Sequence, residues 1–267
     1  MDPTSKTKNP LFVLSDLGAR LRLVGKQMET DSESLSPDGV SARVARHAPR
    51  ECSRCQGTGF EVIALRARPC RCARRKKARN ALSQIPPRFG KPKLSRLVPN
   101  ADRHPKQSLV IDTFRRNPDR SYLFSGENGC GKTHFAWALW RHALAKGRRV
   151  VGCSVRELLE DYRKAATTGS PGVDVTVFRP RVLPEDLKVR GARWTIFLDE
   201  FEKARPSEFA VEMLFALVDA AYQFQQQLIV TTNFRVEALI GHWGRLDGVW
   251  GKSIVRRLEV CTRIEMF

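Results

Sequence analysis

A glycine-rich octapeptide at residues 126–133 limits this chain to a small number of folds. It reads Gly126-Glu127-Asn128-Gly129-Cys130-Gly131-Lys132-Thr133 and matches the phosphate-binding pattern G-x-x-x-x-G-K-[ST] at every fixed position. The apolar run Tyr122-Leu123-Phe124 precedes the octapeptide, and a helical pattern that begins at His134 follows it. A strand, a glycine-rich turn and a helix in this order are the context in which the pattern binds phosphate. The sequence therefore predicts an α/β fold built around a nucleotide-binding loop.

The residue types in the octapeptide suit the chemistry of a nucleotide phosphate. Glycines let the backbone turn sharply and point its N–H groups at a phosphate, and the following helix adds the positive end of its dipole. Lys132 is predicted to reach the β- and γ-phosphates, and the hydroxyl of Thr133 to bind Mg²⁺. All eight residues, together with His134, are therefore predicted to contact ATP. The alternative is a turn that matches by chance, which the flanking strand and helix disfavour.

A second apolar strand ends in two acids. The run Trp194-Thr195-Ile196-Phe197-Leu198 leads into Asp199 and Glu200, which is the Walker B pattern. Asp199 is expected to bind Mg²⁺, directly or through water, and Glu200 to polarise the attacking water. A strand can end in two acids by chance, but its place downstream of a phosphate loop favours the functional interpretation.

A third apolar strand, residues 228–232, ends at Asn233. Ligands bind outside the carboxyl ends of the strands in open α/β sheets. Asn233 is therefore predicted to orient water or to contact the γ-phosphate. The alternative role is an N-cap for a helix over residues 236–239, and the two roles are compatible.

Four cysteines crowd into one short segment upstream of the loop. Cys52 and Cys55 form a C-x2-C pair, and Cys70 and Cys72 form a C-x-C pair after fourteen intervening residues. Four thiolates can surround one Zn²⁺ and leave no open position, so a structural metal site is predicted instead of a catalytic one. The metal is expected to supply much of the stability of this small module. The alternatives are free or redox-active thiols, and His47 is a substitute ligand for the second pair.

The net charge of +19 is concentrated around these cysteines. Residues 41–106 carry 18 basic and 3 acidic side chains, whereas residues 107–267 carry 24 basic and 19 acidic side chains. A basic segment beside a metal module favours a polyanionic partner, most simply nucleic acid. The alternative is a solvated basic linker.

The composition divides the chain into four predicted parts. Residues 1–45 are predicted to form a flexible segment with an amphipathic helix over residues 11–24. Residues 46–84 are predicted to form a basic zinc-knuckle module and helix. A linker over residues 85–106 then leads to an ATPase domain over residues 107–267. The N-terminal helix is expected either to bind a partner in a groove or to pack on its own domain. No apolar run approaches about 18 residues and no secretion signal is visible, so we expect a cytoplasmic protein without a membrane partner.

The order of these motifs resembles that of an AAA+ ATPase. This resemblance implies a fold with a parallel sheet flanked by helices and no C-terminal helical lid. Over roughly residues 50–267 the chain is similar to the DnaC-type replicative helicase loaders. Three features carry this likeness: the cysteine knuckle upstream of the core, the segment Ile85-Pro86-Pro87-Arg88-Phe89, and a final strand that no helical lid follows. The insertion-sequence transposition helper IstB is similar throughout the ATPase core.

This resemblance implies further roles and partners. Asn233 matches sensor 1, and Arg257 matches the arginine finger that acts on ATP held by a neighbouring subunit, with Arg256 as the alternative. The implied protein is an ATP-dependent homo-oligomer that binds ATP, Mg²⁺ and Zn²⁺ and places a hexameric replicative helicase on single-stranded DNA. The rival functions are an IstB-like helper that binds duplex DNA and a transposase, and a zinc-bearing nucleic-acid adaptor without turnover.

Overall fold

The computed structural model describes residues 52–63, 66–100, 102, 104–167, 180–244 and 250–267. The predicted N-terminal segment over residues 1–45, with its helix, and His47 lie outside the described residues. Two compact units divide the chain: Met1–Asn80 with Ala166–Val177, and Ala81–Ala165 with Phe178–Phe267. The described part of the chain contains no helix that is long and apolar enough to cross a membrane.

The first unit is built on a short hairpin and a basic helix. Strands β1 (Phe60–Ile63) and β2 (Arg66–Pro69) pair antiparallel, and helix α1 (Arg71–Leu82) follows them. The apolar side chains of β1 remain in solvent, with Val62 76% exposed, and α1 has no buried residue. Among the described residues of this unit, apolar burial therefore contributes little to stability.

The second unit contains a five-stranded parallel sheet. Its strands are β3 (Tyr122–Gly126), β4 (Arg149–Ser154), β5 (Trp194–Asp199), β6 (Gln227–Thr232) and β7 (Thr262–Met266), in the order β4-β5-β6-β3-β7. All neighbouring strands run parallel, with Leu123 opposite Val230 and Val151 opposite Ile196. Parallel strands need crossover connections, which the intervening helices provide.

Helices lie before and between these strands along the chain. They are α2 (Gln107–Arg116), α3 (Lys132–Ala145), α4 (Val155–Thr167), α5 (Pro184–Leu187), α6 (Glu208–Gln223), α7 (Val236–Trp243) and α8 (Trp250–Leu258). Short 3₁₀ turns at Pro87–Phe89 and Leu94–Arg96 precede α2. The central strands β3, β5 and β6 are buried along nearly their whole length, as in a parallel sheet that helices cover. The predicted α/β class is confirmed.

Aromatic side chains fill the space between α3 and the sheet. The ring of Trp137 packs edge-on against Phe197 of β5, with 4.9 Å between ring centroids, and against Trp140 at 5.2 Å. Gly152 of β4 faces the same ring, because a Cβ atom at this position would lie 2.7 Å from the nearest ring atom of Trp137. The close approach of α3 to β4 therefore depends on a residue without a side chain.

Replacing Gly152 with alanine is expected to destabilise the protein by about 1–3 kcal/mol, because the added methyl group overpacks a buried tryptophan. Chemical denaturation followed by tryptophan fluorescence measures this change in the free energy of unfolding. The matched control is Gly241→Ala on α7, where a Cβ atom would meet nothing within 4 Å. Helix propensity predicts that this control is neutral or stabilising. Equal losses in the two variants would contradict the close packing of Trp137 on β4.

Candidate functional site

The phosphate loop lies between the carboxyl end of β3 and the amino end of α3. Gly126, Gly129 and Gly131 have φ angles of 157°, 84° and 101°, which other residues adopt only with strain. Lys132 is buried, and its Nζ donates hydrogen bonds of 2.7 Å to the carbonyl oxygens of Gly126 and Glu127. The ammonium group therefore lies within the curve of the loop, where a phosphate would meet it.

Asp199 joins the phosphate loop to β5 and β6. Its Oδ1 accepts a hydrogen bond of 3.1 Å from Oγ1 of Thr133 and a second one from Oγ1 of Thr231. Burial raises the pKa of Asp199 above its ordinary value, while these two hydroxyl donors oppose the rise. A partly desolvated carboxylate beside a threonine hydroxyl is a donor set of the kind that Mg²⁺ binds. The side chains of Thr133 and Asp199 therefore fit the predicted metal.

Glu200 follows β5 in a left-handed backbone conformation, with a φ of 54°. Such a conformation is costly for a residue other than glycine and is enriched at functional sites. Nζ of Lys203 lies 2.6 Å from Oε1 of Glu200, and the two side chains are 53% and 41% exposed. An exposed ion pair contributes at most about 1 kcal/mol. The carboxylate of Glu200 can therefore leave Lys203 at little cost.

Asn233 contacts a buried acid that no sequence pattern singles out. Nδ2 of Asn233 donates a hydrogen bond of 2.8 Å to Oε1 of Glu202. Glu202 is only 6% exposed, and its Oε2 has no hydrogen-bond partner among the described residues. The alternative role of Asn233 as a helix cap is not observed, since Arg235 occupies the N-cap position of α7. Glu202 instead fixes the direction of the Asn233 amide.

Most of these side chains line one cavity of about 450 Å³. Its described lining is Arg88, Phe89, Asn128, Gly129, Gly131, Lys132, Thr133, His134, Asp199, Glu200, Glu202, Thr231, Thr232 and Asn233. Gly126, Glu127 and Cys130 belong to the loop but are not part of this lining. The structure thus brings together the phosphate loop, both Walker B acids and Asn233, while their individual roles stay predictions.

Two lining residues come from the segment that the sequence places in the linker. The guanidinium of Arg88 lies over the ring of Phe89 at 4.6 Å from its centroid, and both residues border the phosphate loop's cavity. A flat cation and an aromatic ring are groups on which a nucleobase can stack. The sequence carries no local signal for this contact, because Arg88 is about 40 residues from the loop.

Gln107, the first residue of α2, supports the phosphate loop from within the protein. Its buried side chain donates a hydrogen bond of 3.0 Å from Nε2 to the carbonyl oxygen of Cys130 and accepts one of 2.7 Å from the backbone N–H of Asn100. A buried amide with a partner at each end holds its neighbours in place. The loop is therefore anchored independently of its own glycines.

The predicted arginine finger lies outside the cavity lining. Nε of Arg257 on α8 donates a hydrogen bond to Asp219 of α6, and its guanidinium lies over the ring of Phe215 at 4.5 Å. Arg256 is exposed and forms no ion pair within the part of the chain that the structure describes. A finger that acts on a neighbouring subunit's nucleotide does not need to face its own cavity. The choice between the two arginines stays a prediction.

The four predicted zinc ligands lie together in the first unit. The Sγ atoms of Cys52 and Cys70 are 3.7 Å apart, those of Cys55 and Cys72 are 3.4 Å apart, and all four lie within 4.8 Å of one another. Sulfurs around one tetrahedral Zn²⁺, each about 2.3 Å from the metal, are about 3.8 Å apart. Hydrogen bonds from the backbone of Cys55 and Arg54 lower the pKa of the Cys52 thiol to about 6, whereas the pKa values of the Cys70 and Cys72 thiols are raised, so the fit to zinc rests on the positions of the sulfurs. The cluster therefore fits zinc.

No protein-family model matches the chain. Among curated proteins, the chloroplastic chaperone ClpC3 of Oryza sativa subsp. japonica is 28% identical over 145 residues, which are 51% of this chain and 15% of that protein. The ClpA homolog of Trieres chinensis, an ATP-binding subunit of the ATP-dependent Clp protease, is 32% identical over 97 residues, which are 35% of this chain and 11% of that protein. The chain therefore spans only a small part of these relatives.

Among solved structures, one of DnaI aligns with a TM-score of 0.50 and 19% identity, over 68% of this chain and 95% of that chain. AMPPCP-bound DnaA from Aquifex aeolicus aligns with a TM-score of 0.50 and 18% identity, over 67% of this chain and 50% of that chain. A structure of the DnaC helicase loader has a TM-score of 0.49 and 21% identity, over 67% of this chain and 99% of that chain. The likenesses at 0.50 show a shared fold, so the predicted parallel sheet flanked by helices is confirmed.

Protein purified without chelators is expected to contain one Zn²⁺ per chain by inductively coupled plasma mass spectrometry, because the four Sγ atoms all lie within 4.8 Å of one another. Since apolar burial contributes little to the first unit, removal of the metal should unfold β1, β2 and the start of α1. Circular dichroism before and after chelation would show a loss of helical signal from the start of α1.

Cys52→Ser should lose the metal, whereas Cys261→Ala, at a buried cysteine of the second unit, should keep it. A Co²⁺-loaded sample should show the absorption of a tetrahedral thiolate site. Metal-free protein with an unchanged dichroism spectrum would contradict the zinc site.

Proposed function

We propose that this protein is an ATPase that uses nucleotide binding and hydrolysis to load a replicative DNA helicase onto single-stranded DNA. The observation that carries the ATPase half is the contact of Thr133 with Asp199, because it joins the phosphate loop to the acidic end of β5 at the edge of one cavity. The proposal that it loads a helicase rests on the sequence resemblance to DnaC-type loaders and on the basic cysteine module that precedes the ATPase core in the sequence.

The loop residues would bind the triphosphate. Nζ of Lys132 would exchange its two carbonyl acceptors for β- and γ-phosphate oxygens, and the N–H groups of the loop would donate to the same phosphates. Thr133 and Asp199 would hold Mg²⁺, which neutralises charge on the phosphates when bound. Arg88 and Phe89 would contact the base.

The hydrolytic step would depend on two residues at the carboxyl ends of β5 and β6. Glu200 would leave Lys203 and accept a proton from the attacking water, which its exposed ion pair makes inexpensive. Asn233, with its amide nitrogen held by Glu202, would present its carbonyl oxygen to the same water. The bond between the β–γ bridging oxygen and the γ-phosphorus breaks, and ADP and phosphate are released.

An arginine from a neighbouring copy would complete the site. Arg257 would have to leave Asp219 and Phe215 of its own chain to reach a second subunit's nucleotide. The exposed Arg256 could reach it without breaking an ion pair to a described residue. Assembly would then link ATP binding to the shape of the oligomer, so that hydrolysis weakens the grip on DNA. The cations of α1 and the rest of the cysteine module would supply contacts to the DNA backbone.

The loader function predicts a stable complex between this chain and a helicase ring. Native mass spectrometry with ATP and the replicative helicase of the same genetic background should show the ring with several copies of this chain. Lys132→Ala should abolish nucleotide binding and the complex with it, because the buried ammonium is the main cation facing the phosphates. Lys146→Ala, which removes an exposed lysine at the end of α3, is the control that should change neither.

Other outcomes would favour the rival functions. ATP-dependent filaments on duplex DNA without a helicase complex would favour the transposition helper. A zinc-loaded protein that binds DNA and ATP but shows no turnover with any DNA would favour the adaptor.

The finger prediction can be tested by substituting the two arginines separately. Arg257→Ala should leave ATP binding intact but reduce DNA-stimulated turnover by about 10³-fold, the lower range for loss of a finger. Asp219→Ala should preserve turnover, because it frees Arg257 without removing it. If instead Arg256→Ala causes the loss and Arg257→Ala does not, the finger is Arg256. Thermal melts of all variants identify any loss that comes from unfolding.

A further inference from the structure

A second and larger cavity opens at the other end of the same sheet. It has a volume of about 910 Å³, and its described lining comes from the loop after α5, the end of α6 and the amino ends of β5 and β6. Trp194 is the first residue of β5, and Gln227 is the first residue of β6. We call this cavity the amino-edge groove.

The groove is separated from the nucleotide cavity by the full length of the strands. β5 and β6 each contain six residues, which corresponds to about 20 Å. The two cavities have no described lining residue in common. Any ligand of the amino-edge groove is therefore bound at a site of its own.

The loop between α5 and β5 gives the groove a strong positive charge. Lys188, Arg190 and Arg193 are exposed, line the groove, and form no ion pair with the described residues. Asp119 is the sole acid in the described lining, and it already binds Lys146 and Arg148. The three loop cations are therefore available to a negatively charged ligand.

Large apolar side chains are exposed in the same groove. Tyr222 is 51% exposed and Phe224 is 41% exposed at the end of α6, and Val189 and Val260 complete the apolar part of the lining. These four are half of the exposed large hydrophobic residues described in the second unit. A concentration of this kind on one face marks a binding surface.

Hydrogen bonds of two glutamine side chains hold the floor of the groove together. Gln226 accepts a hydrogen bond of 2.8 Å from the backbone N–H of Trp194 and donates from Nε2 to the carbonyl oxygens of Leu187 and Ala192. The amide of Gln227 similarly bridges β5 and the turn before β3. Side chains with all their polar atoms bonded hold the loop cations and the end of α6 in a fixed relation.

We propose that the amino-edge groove binds single-stranded nucleic acid. Exposed cations along a loop bind successive phosphates, and neighbouring exposed aromatic rings stack with the bases, which is how sequence-independent single-strand sites are built. Lys188, Arg190 and Arg193 supply the phosphate contacts, and Tyr222 and Phe224 supply the stacking surface. Paired bases would keep their faces inside a duplex, so the aromatic rings select for single strands. The proposal uses none of the residues assigned to ATP.

The first test is photo-crosslinking of the full-length protein to a 20-nucleotide oligo(dT) that contains 5-iododeoxyuridine. Mass spectrometry should locate crosslinks at Tyr222 or Phe224. In anisotropy titrations with fluorescein-labelled oligo(dT), the double variant Tyr222→Ser with Phe224→Ser should weaken binding by tenfold or more, since it removes both stacking surfaces. Phe267→Ser, at an aromatic residue that is 39% exposed outside the groove, is the matched control and should bind like the parent protein.

The salt dependence of oligonucleotide binding tests whether the loop cations contact phosphates. Arg190→Gln with Arg193→Gln should lower the slope of log affinity against log salt by about 1.4, or about 0.7 for each phosphate contact. Arg116→Gln, at an exposed arginine on α2, should leave the slope unchanged. ATP turnover without DNA should be the same in all these variants, which separates a failure here from a failure of the ATPase proposal.

Two results would overturn the proposal. One is an absence of crosslinks at Tyr222 and Phe224 together with binding by both double variants within twofold of the parent protein. The other is a polyglutamate peptide that binds to the protein while the oligonucleotide gives no crosslinks, and whose binding the same substitutions abolish. This result would assign the groove to an acidic protein segment.

Discussion

The arrangement of the nucleotide cavity depends on the hydrogen bonds that converge on Asp199. Thr133 donates from the phosphate loop, and Thr231 donates from β6, so one carboxylate ties together three segments that are far apart in the chain. Burial makes this carboxylate expensive to ionise, and the two donors offset part of that cost. A site with a desolvated carboxylate and fixed donors is set up for a cation. The contacts that join the phosphate loop to the sheet therefore also shape the candidate metal site.

Each side chain with a predicted catalytic role is held by a neighbour in its own chain. Glu200 binds Lys203, Asn233 binds Glu202, and Arg257 binds Asp219. These contacts differ in what their release costs. The pair at Glu200 is exposed and weak, whereas Glu202 is buried, so the direction of Asn233 is effectively fixed. Under our proposal, Glu200 and the arginine are the groups that move, and Asn233 is preorganised.

The two units obtain their stability from different sources. The second unit buries aromatic rings between α3 and its sheet, where even one added methyl group at Gly152 would clash with Trp137. In the described part of the first unit, Val62 and its neighbours are exposed and four sulfurs cluster together, so we expect a bound metal to stabilise this part. Loss of metal should therefore affect one unit and not the other. The proposed nucleic-acid contacts fall on both: the cations of α1 and the separate amino-edge groove.

Local chemistry made the phosphate loop, the acids after β5 and the four cysteines readable from the sequence, because each needs fixed residue types at a fixed spacing. The parallel α/β class followed from long apolar strands separated by helical patterns. Tertiary structure alone placed Glu202 against Asn233, Gln107 behind the loop and Arg88 beside the cavity, since these contacts join residues whose spacing follows no pattern. The amino-edge groove was equally hidden, because it forms where the loop after α5 meets the end of α6 and the first residues of two strands. Spacing along the chain encodes a turn or a metal knuckle, but the packing of distant segments decides which side chains share a cavity.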